Sequence, residues 1–236
     1  MRRKKNQKPG KSASTLSVVK AAVSTVPVLG GPLAEFLELI FRPAIERRRD
    51  EFLHDLAASV EAIDDRLGPD GIAGLEKNDA FITAAVQAVD AALRTSSEER
   101  RAAFRNAALN AAIDVNMRTA EADLLLGVLD QLTEWHIRIL RFLDDPEEVR
   151  VRQNVEEPNW LSGGTHRVLE RVFPELADVA GIHILVLADL YRLGLTTMPL
   201  DASNGLGVVV GDQLLPAGYT TELAQRLLRF IASPGD

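Results

Sequence analysis

Apolar residues recur with a helical period through most of the chain. From Leu33 they fall at Phe36, Leu37, Ile40, Phe41, Ala44 and Ile45, then resume at Phe52, Leu53, Leu56, Val60, Ile63 and Leu67. That stripe holds for about nine turns. A strand would need strict alternation instead. The same period continues in Phe81, Ile82, Ala85, Val86, Val89 and Leu93, in Ala103, Phe104, Ala107, Leu109 and Ile113, and in a long run from Thr119 to Leu143. In that run Leu124, Leu125, Val128, Leu129, Leu132, Trp135, Ile139, Leu140 and Leu143 make one face. Asp130, Glu134 and Arg138 are spaced as a ladder on the other. Aromatics are only 5% of the chain, and the abundant Ala, Leu, Glu and Arg favour helix.

Boundary signals agree with that period. Pro32 can open a helix at a tolerated position, and Pro43 is expected to kink it. Asn78 and Thr221 have the chemistry and position of N-caps. Ser96 and Glu99 have capping-box spacing. Asp145 precedes Pro146, Glu147 and Glu148, a favourable charge order for a helix start. Gly194 is placed as a C-cap. The expected fold class is mainly α. Residues 1–14 form a disordered basic tail, residues 15–157 an N-terminal helical bundle, and residues 158–236 a small winged-helix-like α+β domain. In that domain Gly164–Val172 and Ala177–Leu193 are helices, Leu206–Val210 is a strand, and Leu223, Leu227 and Ile231 line a last helix.

The segment from Ala21 to Phe41 is the most hydrophobic. Its longest uncharged run, Ala21 to Ala34, is 14 residues, whereas a helical span needs about 20. Pro27, Gly30, Gly31 and Pro32 interrupt it, and Glu35 and Glu38 follow. No small-residue cleavage site follows it, so a secretory signal is not expected either. The segment reads as a helix from Ser17 to Val26, a Gly/Pro turn, and the start of a longer helix. Val23, Val26, Pro27, Val28, Leu29, Gly30 and Gly31 are the candidate membrane or partner contacts in it.

Charge is unevenly placed. Residues 1–11 carry six positives and no negative, and the remaining 225 carry 21 positives against 34 negatives, a net of −13. Only the tail suits anionic lipid or nucleic acid. Arg47, Arg48 and Arg49 interrupt the apolar stripe. They read either as a solvated stretch or as a contact for lipid phosphate or a partner's acids. Trp135, His136 and Arg138 read either as an interaction cluster or as a core tryptophan beside surface polar groups.

Catalytic signatures are missing. There is no cysteine, which excludes disulfides, thiolate metal sites and cysteine nucleophiles. His54, His136, His166 and His183 lie far apart and lack metal-ligand spacing. The glycines of Gly205–Gly211 precede β-branched residues, so a hairpin turn fits better than a dinucleotide loop. The helix around Gly181–Leu195 carries one arginine, Arg192, and is too apolar for a major-groove reader. The expectation is therefore no enzyme, no cofactor and no metal.

"PVLGGPLAE" at Pro27–Glu35, "ERRRDEF" at Glu46–Phe52 and the end from Leu190 to Ile231 together resemble a loose group of uncharacterised bacterial helical proteins. That group looks similar to the abortive-infection alpha proteins of phage defence. The N-terminal hairpin also looks like the first helix of HeLo-type membrane-permeabilising bundles. The resemblance implies a non-enzymatic interaction protein, cytoplasmic or peripheral to the inner membrane face. It would self-associate, bind a protein partner or meet an anionic membrane, and nucleic acid is not the expected partner. The alternative is a winged-helix transcriptional regulator with a helical partner-binding domain.

Overall fold

A computed structural model describes residues 32–114, 116–154, 165–179, 181–197 and 219–234. The tail, the contact residues Val23–Gly31, Gly205–Gly211 and the strand expected at Leu206–Val210 lie outside them. The described chain is mainly helical: α1 Pro32–Glu61, α2 Asp79–Arg94, α3 Glu98–Ile113, α4 Thr119–Gln131, α5 Glu134–Asp144, α6 Pro146–Arg152, α7 Thr165–Val172, α8 Ile182–Arg192 and α9 Glu222–Ile231. Three short helical turns between Asp64 and Lys77 join α1 to α2. No strand occurs among the described residues. Thr196 and Thr220 form an isolated antiparallel bridge.

Two compact units divide at Arg48/Arg49. The boundary falls inside α1, which runs on through Pro43. It also divides the charge. Residues 1–48 hold 10 positives and 3 negatives, a net of +7, and residues 49–236 hold 17 and 31, a net of −14.

In the second unit the core begins with Phe52, Leu56, Val60, Ile63 and Leu67, buried as their period requires, whereas Leu53, expected with them, is exposed. The expected inward face of α2 is corrected in part: Phe81, Ala85 and Val89 pack against the core as expected. Ile82 and Val86 are exposed, and Ala80, Ala84, Ala88 and Ala91 are buried. The alanines of α2 meet an equally small face of α3, with Ala103, Ala107, Ala108 and Ala111 buried. Small side chains let the two helix axes approach closely, so the rule of the largest residue inside fails here. Asn78 caps α2, accepting from the Phe81 N–H at 3.0 Å, and its amide donates to the Ala111 carbonyl at 3.3 Å. One side chain thus serves the start of α2 and the end of α3.

The long helix expected over Thr119–Leu143 is two helices. Leu132 and Thr133 separate α4 from α5, and Leu124 is exposed. The expected ladder is split accordingly. Asp130 pairs with Arg94 at 2.8 Å and Arg100 at 3.1 Å, while Glu134 lies 3.6 Å from Arg138. The cap of α3 is Ser97 rather than Ser96. Its hydroxyl accepts from the Arg100 N–H at 3.3 Å and donates to Glu134 at 2.7 Å.

Residues on both sides of the expected boundary at 157/158 belong to the second unit. Asn110 of α3 donates to the carbonyls of Phe230 and Ala232, both at 2.9 Å, and Asn106 donates to that of Ile231 at 3.2 Å. Two asparagines one turn apart therefore satisfy the orphan carbonyls at the end of α9. Thr220 donates to Asp144 at 2.7 Å, fastening the start of α9 to α5. Thr221 caps α9 as expected, accepting from the Ala224 N–H at 3.1 Å. The expected helix over Ala177–Leu193 is a short turn, Pro174–Asp178, followed by α8. Gly194 ends α8 in the left-handed region at φ +70. The Gly194 N–H reaches the Tyr191 carbonyl and the Leu195 N–H the Leu190 carbonyl, a Schellman motif.

Candidate contact surfaces

In the described part of the first unit, α1 presents three consecutive large apolar residues to solvent. Leu39 is 72% exposed, and Ile40 and Phe41 are each 49% exposed. Burying such side chains is worth about 1.5–3 kcal/mol each. Three together on one helix turn make a surface with a strong tendency to find cover. Arg42 follows and pairs with Glu46 at 3.0 Å across one turn. Arg47 and Arg49 are exposed and Arg48 is half-buried. Arg47 and Arg48 each engage a neighbouring group.

Trp135, His136 and Arg138 do gather on α5, but their partners are internal. The Arg138 guanidinium lies 4.4 Å from the Trp135 ring centre and 4.9 Å from that of Phe173. It also pairs with Glu175 at 3.0 Å. Phe173 itself is buried and meets Trp135 and Phe142 edge to face, with centroids at 6.2 and 6.1 Å. Arg138 thus fills the slot that a ligand cation would take, and it ties α5 to the turn after α7.

His136 has turned inward and is only 6% exposed. It completes a capping box at the start of α5. Its Nδ1 accepts from the Thr133 N–H at 3.2 Å, and the Thr133 hydroxyl lies 2.7 Å from the same nitrogen. These partners assign the proton to Nε2, which faces Asp189 of α8 at 3.5 Å. Burial lowers its pKa, and the Asp189 charge opposes that in part. Sequence reasoning missed the box because the third helical position usually carries Glu or Gln.

A shallow cleft of about 230 Å³ is lined by Glu51, Phe52, His54 and Asp55 of α1 and by Arg101 and Arg105 of α3. Arg101 pairs with Glu98 at 2.6 Å, and Arg105 lies 3.8 Å from Asp55 and 3.9 Å from Glu98. Its charges neutralise one another. His183 is buried in α8. Among the described residues no three His, Asp or Glu groups converge as a metal site, and no helix is long and apolar enough to cross a membrane.

On α8, Ile184, Leu185 and Tyr191 are exposed, and Arg192 lies 3.4 Å from Asp189. The outward side of this helix is apolar, with its cation paired. No family model, curated protein or solved structure matches the chain.

Proposed function

We propose that the protein is a non-enzymatic contact protein, and that its N-terminal unit makes the contact through the apolar stretch of α1. The observation that carries this reading is the outward placement of Leu39, Ile40 and Phe41 in succession. Within the second unit the charged clusters are engaged with one another, as Arg138 is with Glu134 and Glu175. The resemblance of Pro27–Glu35, Glu46–Phe52 and Leu190–Ile231 to bacterial helical proteins that look similar to phage-defence proteins supports an antiviral setting for the contact.

The C-terminal end is read as a winged-helix-like module used for protein contact. Exposed Ile184, Leu185 and Tyr191 on α8, with Arg192 held by Asp189, support a protein-facing use over DNA readout. A major-groove helix needs unpaired donors for bases and phosphates.

The test is the triple variant Leu39→Ser, Ile40→Ser, Phe41→Ser in the full chain. Sedimentation velocity at rising concentration reads self-association, and vesicle cosedimentation reads membrane contact. The variant is expected to lose whichever association the parent shows while its melting temperature is unchanged. A parent that stays monomeric and off membranes, or a variant that associates as the parent does, overturns the reading.

A further inference from the structure

Neighbouring residues of an α-helix are rotated by about 100°, so Leu39, Ile40 and Phe41 together span about 200° of the circumference. All three are exposed. A flat protein face touches at most half of a helix, so it covers an arc of about 200° incompletely. A medium that flows around the helix covers them all. The remaining arc holds Arg42 and Glu46, paired at 3.0 Å with both side chains more than half exposed. By position in the sequence, Glu35 and Glu38 share that register. The helix therefore has a wide apolar arc and a narrow polar stripe in which three carboxylates outnumber one guanidinium.

Cations close the apolar arc. Arg47 and Arg48 follow Ile40 and Phe41 by seven residues, two turns or about 10.5 Å along the axis. Long arginine stems keep their charged heads at a polar boundary while the stem rests against apolar groups. Residues 1–48 carry a net of +7 against −14 for the rest. The unit with the exposed apolar arc is thus the one that an anionic surface attracts.

We infer that the occupant of this surface is an anionic lipid bilayer. The segment of α1 around residues 39–48 lies in the interfacial plane, immersed past half its circumference. Arg42 and Glu46 face water, and Arg47 and Arg48 exchange their present neighbours for lipid phosphates. This rests on the contact reading above and names its partner.

The experiment is flotation of the full chain with vesicles of phosphatidylcholine alone or with phosphatidylglycerol, at low and high salt. Binding is expected on the anionic vesicles and is weakened by salt. Arg47→Gln with Arg48→Gln should weaken it about 30-fold, from two near-surface cations. An unchanged melting temperature shows that this double variant folds. Equal flotation on neutral vesicles, or binding indifferent to the arginine variant, overturns the lipid assignment. Absence of flotation with self-association that the Leu39–Phe41 serine variant abolishes also overturns it, and leaves the contact reading standing. Absence of both removes the two together.

Discussion

Replacing Asn110 tests whether the C-terminal helix is part of the bundle or a separate domain. The Asn110 carboxamide nitrogen lies 2.9 Å from the Phe230 and Ala232 carbonyls and 3.3 Å from that of Arg229. It has two protons, so at most two of these are full hydrogen bonds. At roughly 0.5–1.5 kcal/mol net per bond, Asn110→Ala should cost about 1–3 kcal/mol. For a domain of this size that lowers Tm by about 2–12 °C. Asn110→Asp should cost more, because it removes both donors and sets a negative charge at the negative end of α9. Thermal unfolding followed by circular dichroism reads both variants. One cooperative transition, shifted in the order Asp below Ala below Asn, is expected. Unchanged melting of Asn110→Ala, or a separate early transition of the C-terminal residues, would refute the reasoning.

Other consequences follow from the internal partners of α5 and α8. His136 has a folded pKa below its ordinary 6.5, so the unfolded chain binds the proton more tightly. Stability from this group is present above 6.5 and falls as pH drops from there toward the folded value. Urea melts across that window should show the decline, and His136→Gln, which can keep the cap, should flatten it. Arg138→Ala removes two ring contacts and two carboxylate pairs and should cost about 1–3 kcal/mol by chemical denaturation. Arg138→Lys should not restore it fully, since the planar stack is lost. Gly194 sits at φ +70 with open space where a Cβ would go. Gly194→Ala should therefore cost about 1–2 kcal/mol from the backbone alone, read by the same denaturation assay.

Much of the fold was legible because local chemistry announces helix ends. Pro32, Asn78, Asp145, Gly194 and Thr221 each stand where the sequence puts them. The break after Gln131 was not legible, because the apolar period runs on through Leu132 and Trp135. Only folding brings Thr133 and His136 into a box with an unusual histidine. The buried face of α2 was misjudged in part, at Ile82 and Val86, for a different reason. Hydrophobicity ranks Ile82 and Val86 above alanine, but close packing on α3 selects the small side chains. The grip of Asn106 and Asn110 on α9 joins residues more than a hundred positions apart, and no spacing rule points to it. As for the candidate sites, the sequence placed Trp135 and Arg138 together correctly. It did not reveal that Phe173 and Glu175 occupy them. Arg47 and Arg48 were read from the charge run, whereas the exposure of Leu39, Ile40 and Phe41 required the structure.

The chain has no cysteine, so single thiols can carry an environment-sensitive fluorophore without background. Labels at Ile40→Cys, Glu46→Cys and Leu124→Cys report the apolar arc of α1, its polar stripe and an exposed position on α4. With the full chain on anionic vesicles, the account predicts a blue-shifted emission at position 40 that acyl-chain quenchers reduce. Positions 46 and 124 should stay in water. A label at position 40 that remains in water, both on vesicles and at high protein concentration, would contradict the claim that this stretch is the contact surface.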